Sequence, residues 1–238
     1  VNRKETKLHI PRQAIFENRY DAGVKLAAKL EEYKNQSVIV FAIPNGGIPV
    51  GMQVALALNA ELDLVISRKI PIPLRPEGGF GAVADDGTTI YNEAVLKHIN
   101  LNEQQVNYQV NLVRSNIQQR SIFYRGNKPL SLVSGKTIIV VDDGLASGYT
   151  MLAAVESLRR RHPKKIIVAV PAAPAAAVLN VEKTADKVVT VETAYTPKFY
   201  VSDYYRYWNV LSDEEGLKAF NDWKMRRYQS KLNPPHIK

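Results

Sequence analysis

Residues 138–150 read Ile-Ile-Val-Val-Asp-Asp-Gly-Leu-Ala-Ser-Gly-Tyr-Thr, and they bring three kinds of chemistry close together. The adjacent carboxylates of Asp142 and Asp143 can accept hydrogen bonds from a diol or help to hold a divalent cation. The loop after them carries two glycines and the hydroxyls of Ser147 and Thr150. Its amides, followed by a helix-like stretch over 151–161, favour an anion. The four apolar residues in front, all of them β-branched, fit a strand buried on both faces, as in a parallel sheet. Ligands of open α/β sheets bind just beyond the carboxyl ends of such strands. A single ligand can use all of these groups: a sugar phosphate that carries more phosphate, bound through a metal.

The segment resembles the 5-phosphoribosyl-1-pyrophosphate (PRPP) signature of the type I phosphoribosyltransferases, with its apolar strand, two acids, short small-residue loop and closing Thr. The resemblance implies that Ala146, Ser147, Gly148, Tyr149 and Thr150 cradle the 5′-phosphate. It implies that Asp142 and Asp143 hold the ribose hydroxyls and meet Mg²⁺, through water, which suits an ion that prefers oxygen ligands and keeps its waters. A second Asp-Asp-Gly, at residues 85–87 between Gly-Ala-Val-Ala and Thr-Thr-Ile-Tyr, reads instead as a hairpin turn.

Other pieces fall where such a site needs them. Pro44-Asn45-Gly46-Gly47 ends an apolar run at 38–43, and glycines there let backbone amides approach a ligand. The resemblance implies that Asn45, Gly46 and Gly47 hold the pyrophosphate. Asn45 stands where similar chains carry a basic residue. Arg68-Lys69 closes the next apolar run, 62–67, where a cation can pair with pyrophosphate oxygens. The residues after it, 70–80, hold three prolines and two glycines and read as a loop, the expected lid over PRPP. Lys69 joins Asp142 and Asp143 as the expected catalytic set. Enzymes of this family that act on 6-oxopurines typically carry an Asp where this chain has Ala146. The resemblance therefore points away from a hypoxanthine or guanine acceptor.

The similarity extends in order along the chain to a branch of phosphoribosyltransferases without an agreed acceptor. It rests on Ile43-Pro44-Asn45-Gly46-Gly47-Ile48-Pro49-Val50, Arg68-Lys69, Gly81-Ala82-Val83-Ala84-Asp85-Asp86-Gly87, Phe123-Tyr124-Arg125-Gly126 and Ser212-Asp213-Glu214-Glu215.

Several elements must position these residues. Amphipathic periodicity predicts helices over 14–35 and 101–124, with further helices over 50–58 and 172–181. Strands are expected over 38–43, 62–67, 138–141, 165–170 and 187–192, and a hairpin over 81–92. Strands separated by helix-length segments predict an α/β fold with a mostly parallel twisted sheet flanked by helices. A single domain is expected, with a core at 36–193 and a small hood from both chain ends, 1–35 and 194–238. The aromatic segment 195–208 is the expected acceptor pocket, although such residues are more often core. Ser212 and Glu215 form a capping-box pattern that opens a last helix through Trp223.

Composition sets further bounds. The absence of cysteine excludes disulfides and thiolate chemistry and fits a cytoplasmic protein. No apolar run is long enough to cross a bilayer, and residues 1–7 lead into no secretory-type core. The net charge of +9 helps attract a polyanion such as PRPP. It clusters at 159–165 and in the tail, which reads as solvated helix ends rather than a nucleic-acid surface. The expected reaction is displacement of pyrophosphate from PRPP by a nitrogenous acceptor, in a homodimer. Two alternatives stay open: a regulatory protein that senses PRPP or a nucleotide without turnover, and an RNA-binding attenuator.

Overall fold

A computed structural model describes residues 14–73, 75–126, 128–196 and 198–232. In chain order its elements are α1 (Arg19–Ala28), β1 (Val38–Ala42), α2 (Gly47–Leu58), β2 (Glu61–Leu64), β3 (Ser67–Ile72), β4 (Arg75–Ala84), β5 (Thr89–Tyr91) and α3 (Glu93–Leu96), followed by α4 (Glu103–Arg125), β6 (Thr137–Val141), α5 (Tyr149–Arg159), β7 (Lys165–Pro174), α6 (Ala175–Val181), β8 (Lys187–Ala194) and α7 (Asp213–Leu232).

Five strands form a wholly parallel sheet in the order β2-β1-β6-β7-β8. Their side chains alternate between two cores, as the two-residue period of a strand requires. Val40, Ala42, Ile139 and Val141 face α2 and α7 through Val54, Leu58 and Phe220. Ile39, Phe41, Ile138 and Val140 face α5 and α6 through Met151, Val155 and Val181. The chain runs outward from β1 to β2 on one side and resumes at β6 on the other, so the β1/β6 boundary is the crevice where such sheets bind ligands. Among the described residues no helix is long and apolar enough to cross a membrane.

Four expectations need correcting. The run 62–67 is not one strand ending in Arg68-Lys69: β2 stops at Leu64, and Arg68 and Lys69 lie on β3, in a second, antiparallel sheet ordered β3-β4-β5. Continuous burial from Leu64 through Ser67 hid that break. The lid expected at 70–80 is, in its described residues, the β3–β4 arm. Pro71 is tolerated because β3 is an edge strand whose register shifts on either side of that residue. The stretch from 172 stays extended through Pro174, paired with β8, because sheet pairing outweighs the helix propensity of its alanines. The helix expected over 14–35 is only α1, started by Asn18, whose side chain accepts from the amides of Tyr20 and Asp21.

The hairpin at Asp85-Asp86-Gly87 forms as expected, with the Gly87 amide bonded to Ala84 O. Ser212 and Glu215 make reciprocal capping bonds that start α7. The two chain ends meet: the Ile15 and Phe16 amides donate to Tyr204 O, and the Arg206 amide donates to Phe16 O. Positions 1–13 and 233–238 of the expected hood lie outside the described residues.

Candidate active site

A cleft of about 520 Å³ opens at the β1/β6 crevice and is lined by residues from six separate stretches of chain. The β1–α2 turn gives Asn45 and Gly46, and β3 gives Ser67, Arg68 and Lys69. Asp142 and Thr150 come from the β6–α5 turn, Arg120 from α4, and Arg19 with Trp208 and Asp213 from the two chain ends. Of the residues expected from sequence, Asn45, Gly46, Arg68, Lys69, Asp142 and Thr150 therefore face one space. Gly47 and Asp143 lie directly behind them. A Cβ on Gly47 would meet Val141 O at 2.9 Å, and one on Gly46 would fall 1.9 Å from Asp143 Oδ2. Glycine at 46 is thus what lets the β1 turn approach the acid pair.

The β6–α5 turn leaves backbone amides at the start of α5 that can receive an anion. Gly148 takes the left-handed conformation (φ 83°) immediately before α5, where a side chain would be strained. The Leu152 amide closes the first helical bond onto Gly148 O, so the amides before it have no intrahelical acceptor. Ala146 and Ser147 are exposed at the turn, while Tyr149 and Thr150 are half-buried. Ser67 Oγ lies 2.9 Å from Thr150 O and ties the start of α5 to β3.

The two acids differ in their surroundings. Asp143 Oδ2 accepts from Arg19 Nε at 2.8 Å, and its backbone oxygen accepts from Tyr205 Oη at 2.6 Å. Arg19 also donates to Asn209 O and lies 3.9 Å above the Trp208 ring. Among the described residues Asp142 Oδ1 accepts a single bond, from the backbone amide of Asp143 at 2.8 Å. Burial, together with the charge of Asp143 beside it, pushes the Asp142 carboxyl well above the usual carboxylate range. Burial raises Asp143 too, but Arg19 pulls it back. Burial and the nearby Asp143 charge also raise the Tyr205 hydroxyl, which keeps it a donor.

Asn45 is committed to the protein. Its Nδ2 donates to Leu211 O at 2.8 Å, and its Oδ1 accepts from Tyr124 Oη at 2.6 Å and from Arg120 Nη2. Arg120 in turn grips Asp213, with Nε 3.1 Å from Oδ2 and Nη2 2.5 Å from Oδ1. Burial, with Asp213 nearby, pushes the Tyr124 hydroxyl up to about 12. Arg68 is exposed and bonds the neutral side chain of Asn116.

Magnesium fits this donor set only when it is largely held by substrate. Among the described residues no three His, Cys, Asp or Glu side chains gather closely enough to hold a metal. Asp143 is taken by Arg19, but Asp142 faces the cleft. One carboxylate, water and phosphate oxygens make the kind of site magnesium accepts.

Sequence reasoning missed Arg19, Arg120, Tyr124 and Asp213 as parts of the site. Nothing in their local spacing sets them apart. Within the aromatic segment only Trp208 lines the cleft, while Tyr204 and Tyr205 are core and Tyr195 and Tyr200 face solvent.

Comparison with known proteins points to one family. The phosphoribosyl transferase domain family matches residues 84–206, a span that contains Asp142, Asp143 and the turn after them. Two Mycobacterium tuberculosis proteins, Rv0571c and MT0597, provisionally named phosphoribosyl transferases, are each 33% identical over 208 residues. That covers 87% of this chain and 46% of theirs, so the chain spans about half the length of those relatives. The crystal structure of TT1426 from Thermus thermophilus superposes with a TM-score of 0.70 at 29% identity, over 87% of this chain and 98% of that one.

Proposed function

This chain belongs to the phosphoribosyl transferase family, and from that premise we propose that it binds PRPP in the β1/β6 cleft and transfers the phosphoribosyl group to a nitrogenous acceptor. The observation that carries the reading is the cleft itself. Asp142, Thr150, Gly46 and Lys69 come from separate turns and strands and line one space.

In this reading the amides of 146–150 and the hydroxyls of Ser147 and Thr150 hold the 5′-phosphate at the start of α5. Asp142, and the Asp143 oxygen that Arg19 leaves open, accept from the ribose hydroxyls. Lys69 and Arg68, with the backbone of Asn45, Gly46 and Gly47, hold the pyrophosphate. The acceptor nitrogen forms its bond to C1 as the C1–O bond breaks, and the bonding pair leaves with pyrophosphate. The nitrogen then releases its proton. A magnesium ion would supply charge neutralisation at the pyrophosphate oxygens, next to Asp142. The protein's part is positioning and electrostatics, since it forms no bond to the substrate.

The acceptor, a nucleobase in this reading, enters beside Trp208 and Val210 at the outer wall, between the two chain ends. The whole chain then acts as a single domain with a hood.

Pyrophosphate release tests the proposal, with the protein incubated with Mg²⁺, PRPP and a panel of nitrogenous bases. Release that depends on one base supports it. Saturable PRPP binding without release from any base replaces transfer with PRPP sensing, and absence of PRPP binding overturns both.

A further inference from the structure

We infer that Arg120, reaching in from α4, is a direct ligand of the pyrophosphate group in the cleft; this rests on the PRPP reading above and adds a residue to it. Arg120 lines the cleft although its side chain is only 8% exposed. Its Nε and Nη2 are spent on Asp213 and Asn45. Among the described residues Nη1 has no acceptor, yet it is not among the buried unpartnered atoms. That nitrogen is therefore able to donate to a ligand in the cleft that Arg120 lines.

The surroundings call for an anion there. Arg68 lines the same wall, and among the described residues it makes no ion pair. Although Arg68 reaches solvent, partial desolvation in the cleft wall and the like charge of Arg120 lower the pKa of its guanidinium, with Asp213 working the other way. Two neighbouring guanidiniums in a half-enclosed cleft, with one carboxylate between them, leave positive charge uncompensated. A multiply charged phosphate that accepts from both relieves it, and a guanidinium fork suits phosphate oxygens. Asn45 and Asp213 hold the Arg120 side chain in place before the ligand arrives, so little rotamer freedom is lost on binding. The Asn45 side chain then serves the anion through Arg120 rather than by touching it.

Titration calorimetry of the full chain with three ligands tests this: inorganic pyrophosphate, PRPP with Mg²⁺, and ribose 5-phosphate. R120Q is expected to weaken pyrophosphate and PRPP roughly ten- to a hundredfold, the range for a lost hydrogen bond to a charged group. Ribose 5-phosphate affinity is expected to stay within about twofold, which also shows that the variant is folded. R120K, which keeps the charge but not the fork, should recover part of the loss. D213N separates binding from scaffolding. It removes the competing charge but keeps an amide oxygen that can hold Arg120, so pyrophosphate affinity should fall far less than in R120Q, whereas a purely structural Arg120–Asp213 pair predicts a loss like that of R120Q. Unchanged pyrophosphate affinity in R120Q overturns the inference, as does equal loss of all three ligands in both Arg120 variants. If wild type binds neither PRPP nor ribose 5-phosphate, the PRPP reading fails. Pyrophosphate binding that still needs Arg120 would then leave the anion site standing alone.

Discussion

Arg19 and Asp143 lie 124 positions apart in the chain and are joined by a 2.8 Å ion pair in which both side chains are largely buried, 7% and 15% exposed. The bond fastens the first helix to the turn that carries the acid pair. It also separates the two acids: among the described residues Asp143 has an ion-pair partner, whereas Asp142 has none and feels Arg19 only at a distance.

R19Q should therefore destabilise the fold by about 3 kcal/mol at neutral pH, the cost of stranding a buried charge. The loss should depend on pH. The Asp143 carboxyl is raised in the folded state even with Arg19 present, and without Arg19 it rises further. A raised folded value means stability is lost as pH climbs through it. The gap between wild type and variant should thus widen above the wild-type folded value and narrow in acid. Urea unfolding over a pH series checks this, and a gap independent of pH would count against it.

Asp142 gives the opposite sign. Its carboxyl is raised by burial and by Asp143, so the ionised form costs stability at neutral pH. D142N should be more stable than wild type there, by on the order of 1–2 kcal/mol, while PRPP affinity falls. Its stability should also decline less as pH rises from about 4, the unfolded value of an aspartate. Thermal unfolding paired with PRPP titration measures both halves of the trade.

The second Asp-Asp-Gly supplies the contrast. Asp85 pairs with Arg125 at 3.5 Å in a pocket that leaves them 7% and 8% exposed, apart from the residues lining the cleft. Burial raises Asp85, and Arg125 pulls it back. D85N would strand the Arg125 guanidinium and should cost about 3–5 kcal/mol, leaving PRPP affinity of the folded fraction unchanged. A weakened PRPP titration at full folding would contradict this.

Gly46 should tolerate no side chain. The Cβ of G46A would fall 1.9 Å from Asp143 Oδ2 and 2.5 Å from its Cγ, so the carboxylate must swing off Arg19. A loss of about 2 kcal/mol is expected from overpacking, together with weaker PRPP binding. Because G46A and R19Q break the same bond, their double mutant should cost less than the sum of the two. Strict additivity in chemical denaturation would show that the carboxylate had not moved.

Much of the site was legible because its information is local. The strand–acid–acid–turn–helix order from Ile138 to Thr150 needs only neighbours in sequence. The apolar runs of β1 and β6 mark both as buried strands of one parallel sheet, with their ends together. Arg68 and Lys69 line the cleft, but on β3 rather than at the end of the second strand of the parallel sheet. Burial without a break from Leu64 to Ser67 looks like one strand, whereas the chain changes sheets between Leu64 and Ser67.

By itself the sequence determined a parallel α/β sheet, the turn that can seat a phosphate, the acid pair beside it and the capping of the last helix. Each follows from residue type and short-range periodicity. Only the tertiary structure decided what those groups face. Arg19 meets Asp143, Arg120 meets Asn45 across 75 positions, and Asn45 meets Leu211 across 166. Such pairings depend on how distant elements pack around the crevice. An arginine in a polar helix carries no local mark of the carboxylate or amide it will reach, because its hydrophobic period is satisfied equally well whichever partner arrives.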